Sequence, residues 1–186
     1  IRTRSRIPSA SGLGSSAALS CSVTAALMKA QGEVDQEGIA RRSFEVEFNV
    51  QGGASPTDTS CSTHGGAILM NKRIGENHLW SISKNDKEWH IHDIEPPDMT
   101  LVVGYTKKPS ITPQQVSKVR AFYERSGFAR ETVKEIGELV LDGVKKLRDG
   151  DMKDLGELMN KNHSLLSILG VNCKELQVLI DASLPN

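Results

Sequence analysis

Apolar residues along this 186-residue chain follow two regimes that meet near Pro96-Pro97. Before that point helical and strand-like spacing alternate. "IRTRSRIP" at the start alternates charged and short residues and predicts a strand running into a loop. From Ser15 to about Gln31 the chain is rich in Ala, Leu and Val, which predicts a helix stopped by Gly32. Ile39, Ser43, Val46 and Val50 fall three and four apart, predicting a second helix over 35–50. "QGGASPTDTSCSTHGG" then reads as a long turn-rich loop. "AILMNKR", "HLWSISK", "EWHIHDI" and "MTLVVGYT" read as short strands separated by turn residues, most of them in a mixed sheet.

After the prolines the pattern is mainly helical. Val133, Ile136, Val140, Val144 and Leu147 step by 3, 4, 4 and 3 residues, and Leu155, Leu158 and Met159, then Leu165, Leu166 and Leu169, continue that behaviour. "RSGFARE" and "RDGD" punctuate these helices. With no internal repeat and no low-complexity tract, the class is α+β, with a partial N-terminal lobe over 1–95 and a partial C-terminal lobe over 98–186.

Composition narrows the function classes. Hydrophobic residues make up 38% and charged residues 25%, as in an ordinary globular protein. Lys+Arg and Asp+Glu balance at 23 each, so there is no overall field to draw in nucleic acid or an anionic membrane, and "IRTRSR" is the only local basic cluster. No apolar run approaches the roughly 20 residues of a membrane span, and no signal peptide is visible. Cys21, Cys61 and Cys173 are odd in number and far apart, and are read as reduced thiols of a cytoplasmic protein.

Two segments carry chemistry. In "PSASGLGSSAALS", Gly12 and Gly14 let the backbone fold tightly around a ligand immediately before a helix N-terminus, whose free N–H groups and dipole attract anions. Ser15 and Ser16 add hydroxyls able to bond phosphate oxygens or ligate Mg²⁺. A phosphate cradle and a glycine-rich turn with a serine N-cap both fit. The segment is not a Walker A loop, since no Lys follows the glycines. In "ASPTDTSCSTHGG", Asp58 is either a turn residue or an acid placed for catalysis, and Glu47 lies eleven residues before it, near the end of the predicted helix. Two acids converging beside a phosphate cradle suit phosphoryl transfer, one holding Mg²⁺ and the other taking the hydroxyl proton.

"PSASGLGSSAAL" resembles the ATP-binding motif P-x-x-x-G-L-G-S-S-A of the galactokinase, homoserine kinase, mevalonate kinase and phosphomevalonate kinase superfamily, matching at Pro8, Gly12, Leu13, Gly14, Ser15, Ser16 and Ala17. "ASPTDT" followed by "STHGG" is most similar to the archaeal mevalonate kinases. The resemblance implies a two-lobed kinase with a ribosomal-protein-like first lobe and a ferredoxin-like second lobe of helices and sheet. It implies Mg²⁺ and ATP, with phosphates at Gly12 to Ala17, Mg²⁺ on Ser16 and Glu47, and Asp58 as catalytic base. Thr63 and Gly65, with Ser62, would line the acceptor pocket, and Thr106 or Lys107 would approach the substrate, although a solvated turn explains these last two as well. The implied activity is ATP-dependent phosphorylation of mevalonate to 5-phosphomevalonate in isoprenoid synthesis, with neither nucleic acid nor membrane as partner. The alternatives are another small-molecule kinase of the superfamily or a nucleotide-binding domain without catalysis.

His64, at a variable position of the motif, is read as a partly exposed loop residue, His163 as a capping or packing residue, and Lys107, Lys108, Lys145 and Lys146 as solvated. The family's opening P-G-R/K segment and closing G-x-G-x-G-G loop are not seen, so a fragment is expected. Sheet edges left open in such a fragment would favour self-association, a homodimer being the simplest form.

Overall fold

The structure, a computed structural model, describes residues 2–108 and 112–184. It divides into two compact units, Ile1–Glu95 and Pro96–Asn186. Ile1, positions 109–111 of the segment after Lys108, and the last two residues lie outside the described residues.

In the first unit three helices precede a three-stranded sheet. α1 (Ser15–Ala30) starts at Gly14, whose φ of 65° no helix accepts, and stops at Gln31 before Gly32. α2 (Gln36–Gln51) is capped by Asp35, whose carboxylate accepts the Gly38 N–H at 2.9 Å. α3 (Thr57–His64) lies inside the segment expected to be a loop. Its polar, small residues signal a turn, but Thr59 and Ser60 are fully buried, and tertiary packing overrides that local preference.

Strands β1 (Ala67–Asn71), β2 (His78–Lys84) and β3 (Lys87–Ile94) stand in the order β1-β3-β2, all antiparallel, so the sheet is not mixed. The turn of Asn85 and Asp86 requires β2 and β3 to run antiparallel, since parallel neighbours need a crossover of a dozen or more residues. Ala67 pairs with Ile94 and Ile82 with Trp89. One face presents Trp80, Ile82 and Ile91 to Ala40 and Phe44 of α2, forming the main core, with Phe44 edge-on to Trp89 at 5.8 Å. A smaller core joins Cys21 and Met28 of α1 to Ile39 of α2. On the opposite face the Ser81 hydroxyl lies 2.9 Å from His78 Nε2 and 2.7 Å from His90 Nδ1, and the Gly75 N–H donates to His92 Nε2 at 2.9 Å. These bonds account for two buried histidines.

The α2 stripe is rotated from the expected one. Ile39, Ala40, Ser43, Phe44 and Glu47 are buried, whereas Val46 and Val50 face solvent.

The second unit, among the described residues, is helical: α4 (Thr112–Arg125), α5 (Gly127–Arg148), α6 (Met152–Ile168) and α7 (Lys174–Ser183). Ser126 caps α5 through the Ala129 N–H and Asp151 caps α6 through the Asp154 N–H. Lys146 is not merely solvated, since it bonds Asp151 at 3.0 Å and also Asp154, and Lys108 pairs with Glu175. His163 Nε2 meets Gln177 Oε1 at 3.0 Å, joining α6 to α7. "MTLVVGYT" forms no strand, nor does "RTRSRIP" in the first unit. Neither finds a partner among the described residues, and a lone strand leaves its backbone groups unpaired.

Candidate functional site

The loop before α1 is held in a left-handed conformation at alternate residues, with φ of 56° at Ala10, 77° at Gly12 and 65° at Gly14. Glycine meets that demand without steric cost. No side chain caps α1, and its first internal bond runs from Ala18 N–H to the Gly14 carbonyl. The first N–H groups of α1 therefore have no helical acceptor, which is the condition for binding an anion. Ala17 is buried beneath the loop, Ser15 is half-buried, and Leu13 and Ser16 reach the surface.

Glu47 comes to this loop from α2. Its Oε1 accepts the Ser16 hydroxyl at 2.8 Å and the Ser20 hydroxyl at 2.7 Å, and its Oε2 accepts the Gln51 amide. Only 7% of Glu47 is exposed, and these donors replace the lost water. Ser20 and Gln51 went unread in the sequence. Each lies four residues from its functional neighbour, Ser16 or Glu47, on one helical face, which is the signal that could have found them. By donating its proton to Glu47, Ser16 leaves its oxygen lone pairs open to a cation. A serine hydroxyl beside a carboxylate is a hard oxygen pair of the kind Mg²⁺ accepts alongside phosphate oxygens. Among the described residues, no cluster of three or more His, Cys, Asp or Glu could hold a metal by itself.

Asp58 reaches the same place from the first turn of α3, and it is exposed. A Cβ at Gly14 would stand 3.9 Å from both Cβ and Cγ of Asp58, so the glycine loop and this carboxylate face one another. Burial raises the pKa of the Cys61 thiol, three residues on, and the Asp58 charge raises it further. α3 is held along two seams. Cys21 Sγ donates to the Thr59 carbonyl and accepts from Thr63 Oγ1, both at 3.4 Å. On the other seam Trp80 Nε1 donates to Ser60 Oγ at 3.3 Å, and His64 Nε2 meets Asp93 Oδ1 at 2.8 Å. His64 is thus a half-buried helix terminus rather than a loop residue.

Gly12 to Ala17, Glu47 and Asp58 are therefore brought together. Thr63 spends its hydroxyl on Cys21, Gly65 closes α3 with its N–H on the Cys61 carbonyl, and Ser62 is exposed. Thr106 belongs to the second unit, where its Oγ1 accepts the Lys108 N–H at 3.2 Å in a local turn. Among the described residues no helix is long and apolar enough to cross a membrane.

Residues 1–66 match the family of GHMP kinases, N terminal domain, a span that contains the glycine loop, Glu47 and Asp58. Across 97% of its length the chain is 32% identical to a mevalonate kinase of Methanothermobacter thermautotrophicus, covering 55% of that protein. It is 34% identical to a mevalonate kinase of Pyrococcus furiosus over 96% of the chain and 51% of the relative. A mevalonate kinase of Saccharolobus solfataricus is 29% identical over 97% of the chain and 53% of its own length. The chain spans about half the length of the curated relatives it matches. With its loop-to-helix motif, its α+β architecture and this likeness along nearly all its residues, the chain carries a GHMP kinase N-terminal domain over residues 1–66.

Proposed function

We propose that the protein transfers the γ-phosphoryl group of ATP to the hydroxyl of mevalonate, giving 5-phosphomevalonate, and that it works in the cytoplasm. The observation that carries this reading is the convergence of Ser16 on Glu47 and of Gly14 on Asp58, beside the uncapped start of α1. The relatives' printed name supplies the acceptor.

Each group then has a task. The α1 amides and the Ser15 hydroxyl hold phosphate oxygens. Ser16 and Glu47 would hold Mg²⁺, which when bound neutralises charge on the β- and γ-phosphates. Asp58 takes the proton of the acceptor hydroxyl as its oxygen bonds phosphorus and the bond to the bridging oxygen breaks, releasing ADP. Thr63 and Gly65 are proposed acceptor contacts, Thr63 after its hydroxyl turns from Cys21.

Coupled measurement of ADP release from the full-length protein tests the reading, with mevalonate, homoserine and phosphomevalonate in parallel. Mevalonate should give the highest kcat/KM. Asp58→Asn should cut kcat by roughly 10²–10⁴-fold while ATP binding stays near normal. A different preferred acceptor would name another kinase of the superfamily, and ATP binding without turnover of any acceptor would indicate a non-catalytic nucleotide-binding domain.

A further inference from the structure

α3 has eight residues, too few to be a stable helix by itself, so the direction in which it presents Asp58 is set by what clamps it. The 59/63 seam rests on a thiol, with two contacts at 3.4 Å that are weak for hydrogen bonds. The 60/64 seam is the stronger. His64 Nε2 lies 2.8 Å from Asp93 Oδ1, and the side chains are 19% and 29% exposed, sheltered enough for the bond to resist competition from water. Asp93 as a carboxylate only accepts, so Nε2 carries the proton, and the buried Nδ1 has no hydrogen-bond partner. The imidazole also stands edge-on to Trp80, with centroids 6.2 Å apart and planes at 75°, and Trp80 in turn holds Ser60 one turn earlier on α3. Asp93 sits in β3, paired with Ile68 of β1, in the centre of the sheet order. One imidazole thus fastens the far end of the helix bearing Asp58 to the most constrained strand of the unit.

We propose that His64 is a positioning residue for Asp58, acting through its bond to Asp93. The inference rests on the reading of Asp58 as the proton acceptor. Misplacing a catalytic group by about 1 Å can cost up to about 10²-fold in rate, which sets the scale of the effect.

The test is steady-state kinetics on the full-length protein, beside a thermal melt, with His64→Ala, His64→Gln, Asp93→Ala and the double alanine variant. His64→Ala should lower kcat about 10- to 100-fold with KM for ATP within about twofold of the parent. His64→Gln, whose amide can still donate to Asp93, should recover most of that loss. Asp93→Ala should match His64→Ala, and the double variant should be no worse than either, because both remove one bond. A folded His64→Ala with parental kcat overturns the proposal, as do losses that multiply in the double variant. If His64→Ala does not fold, Asp93→Ala and His64→Gln decide: a parental rate in the first, or no advantage of Gln over Ala in folding and rate, overturns it. Asp58→Asn in the same assay separates the two failures. If it keeps the parental rate, the reading of Asp58 fails. If it collapses while His64→Ala does not, only the role of His64 fails.

Discussion

The two units, three helices with a sheet and four helices, differ in what their helices bury. In the first, Phe44, Ala40 and Ile91 are completely enclosed, and of the polar residues buried with them Ser60, Thr59 and Glu47 are bonded to neighbours from other elements, whereas the Ser43 hydroxyl has no partner among the described residues. In the second, among the described residues, Ala129, Thr132 and Leu169 are buried, and α6 and α7 have no fully buried residue. Phe128 is 62% exposed and Val102 94%. Side-chain caps and ion pairs tie the helix ends there. A site that must hold a charged carboxylate away from water needs the first kind of packing. Desolvating Glu47 is tolerable only because three donors are fixed around it.

The contrast should be sharpest in core truncations. Phe44→Ala should destabilise the first unit by about 3–5 kcal/mol, since it opens a cavity among Trp80, Ile82 and Ile91. Val178→Ala in α7, where the side chain is mostly exposed, should stay within about 0.5 kcal/mol. Denaturant melts followed by tryptophan fluorescence and circular dichroism measure both, and equal losses would dissolve the distinction.

A second, smaller effect concerns what the first unit's packing does for the site. Among the described residues Ser20 bonds the site through Glu47. Ser20→Ala should therefore raise the Mg²⁺ concentration for half-maximal activity about tenfold, at the low end for such supporting residues, while kcat at saturating Mg²⁺ changes little. Mg²⁺ titration of the ADP-release rate reads it, and an unchanged midpoint would leave Glu47 oriented by Ser16 and Gln51 alone.

The smallest effect belongs to the second unit. Asp151 has a lowered pKa, first because the Asp154 N–H bonds its carboxylate and then because Lys146 does. A carboxyl more acidic folded than unfolded contributes stability that is present above the unfolded value of about 3.9 and lost as pH falls through the folded one. Lys146→Met should therefore weaken the start of α6 at neutral pH by a small amount, and the difference from the parent should fade as pH falls through the lowered folded value of Asp151. Helical ellipticity against pH in both proteins shows whether the two curves converge.

Local sequence was enough to find α1, from its run of Ala, Leu and Val, α2, from apolar spacing, and the three paired strands, because both signals report directly on helix and strand faces. It misjudged the angle of the α2 face. Val46 and Val50, counted as inward, face solvent, because Phe44 turns the buried stripe and carries Glu47 in with it. One sequence cannot separate two stripes that differ by a fraction of a turn. The glycine loop was legible as a cradle candidate because backbone freedom followed by a helix start is itself a local property.

What the residues determined by themselves was therefore local: where α1 and α2 begin, which loops can take positive φ, and which side chains offer hydroxyls and carboxylates. Tertiary structure alone decided that "TDTSCSTH" is a helix, that His64 bonds Asp93, that Ser20 shares Glu47 with Ser16, and that Asp58 stands against Gly14. It also decided that "MTLVVGYT", with every local mark of a strand, is not one among the described residues. The reason is common to all of these. A helix closes its hydrogen bonds within its own segment, whereas a strand, a clamp on a short helix and a buried carboxylate each need partners that are distant in the chain.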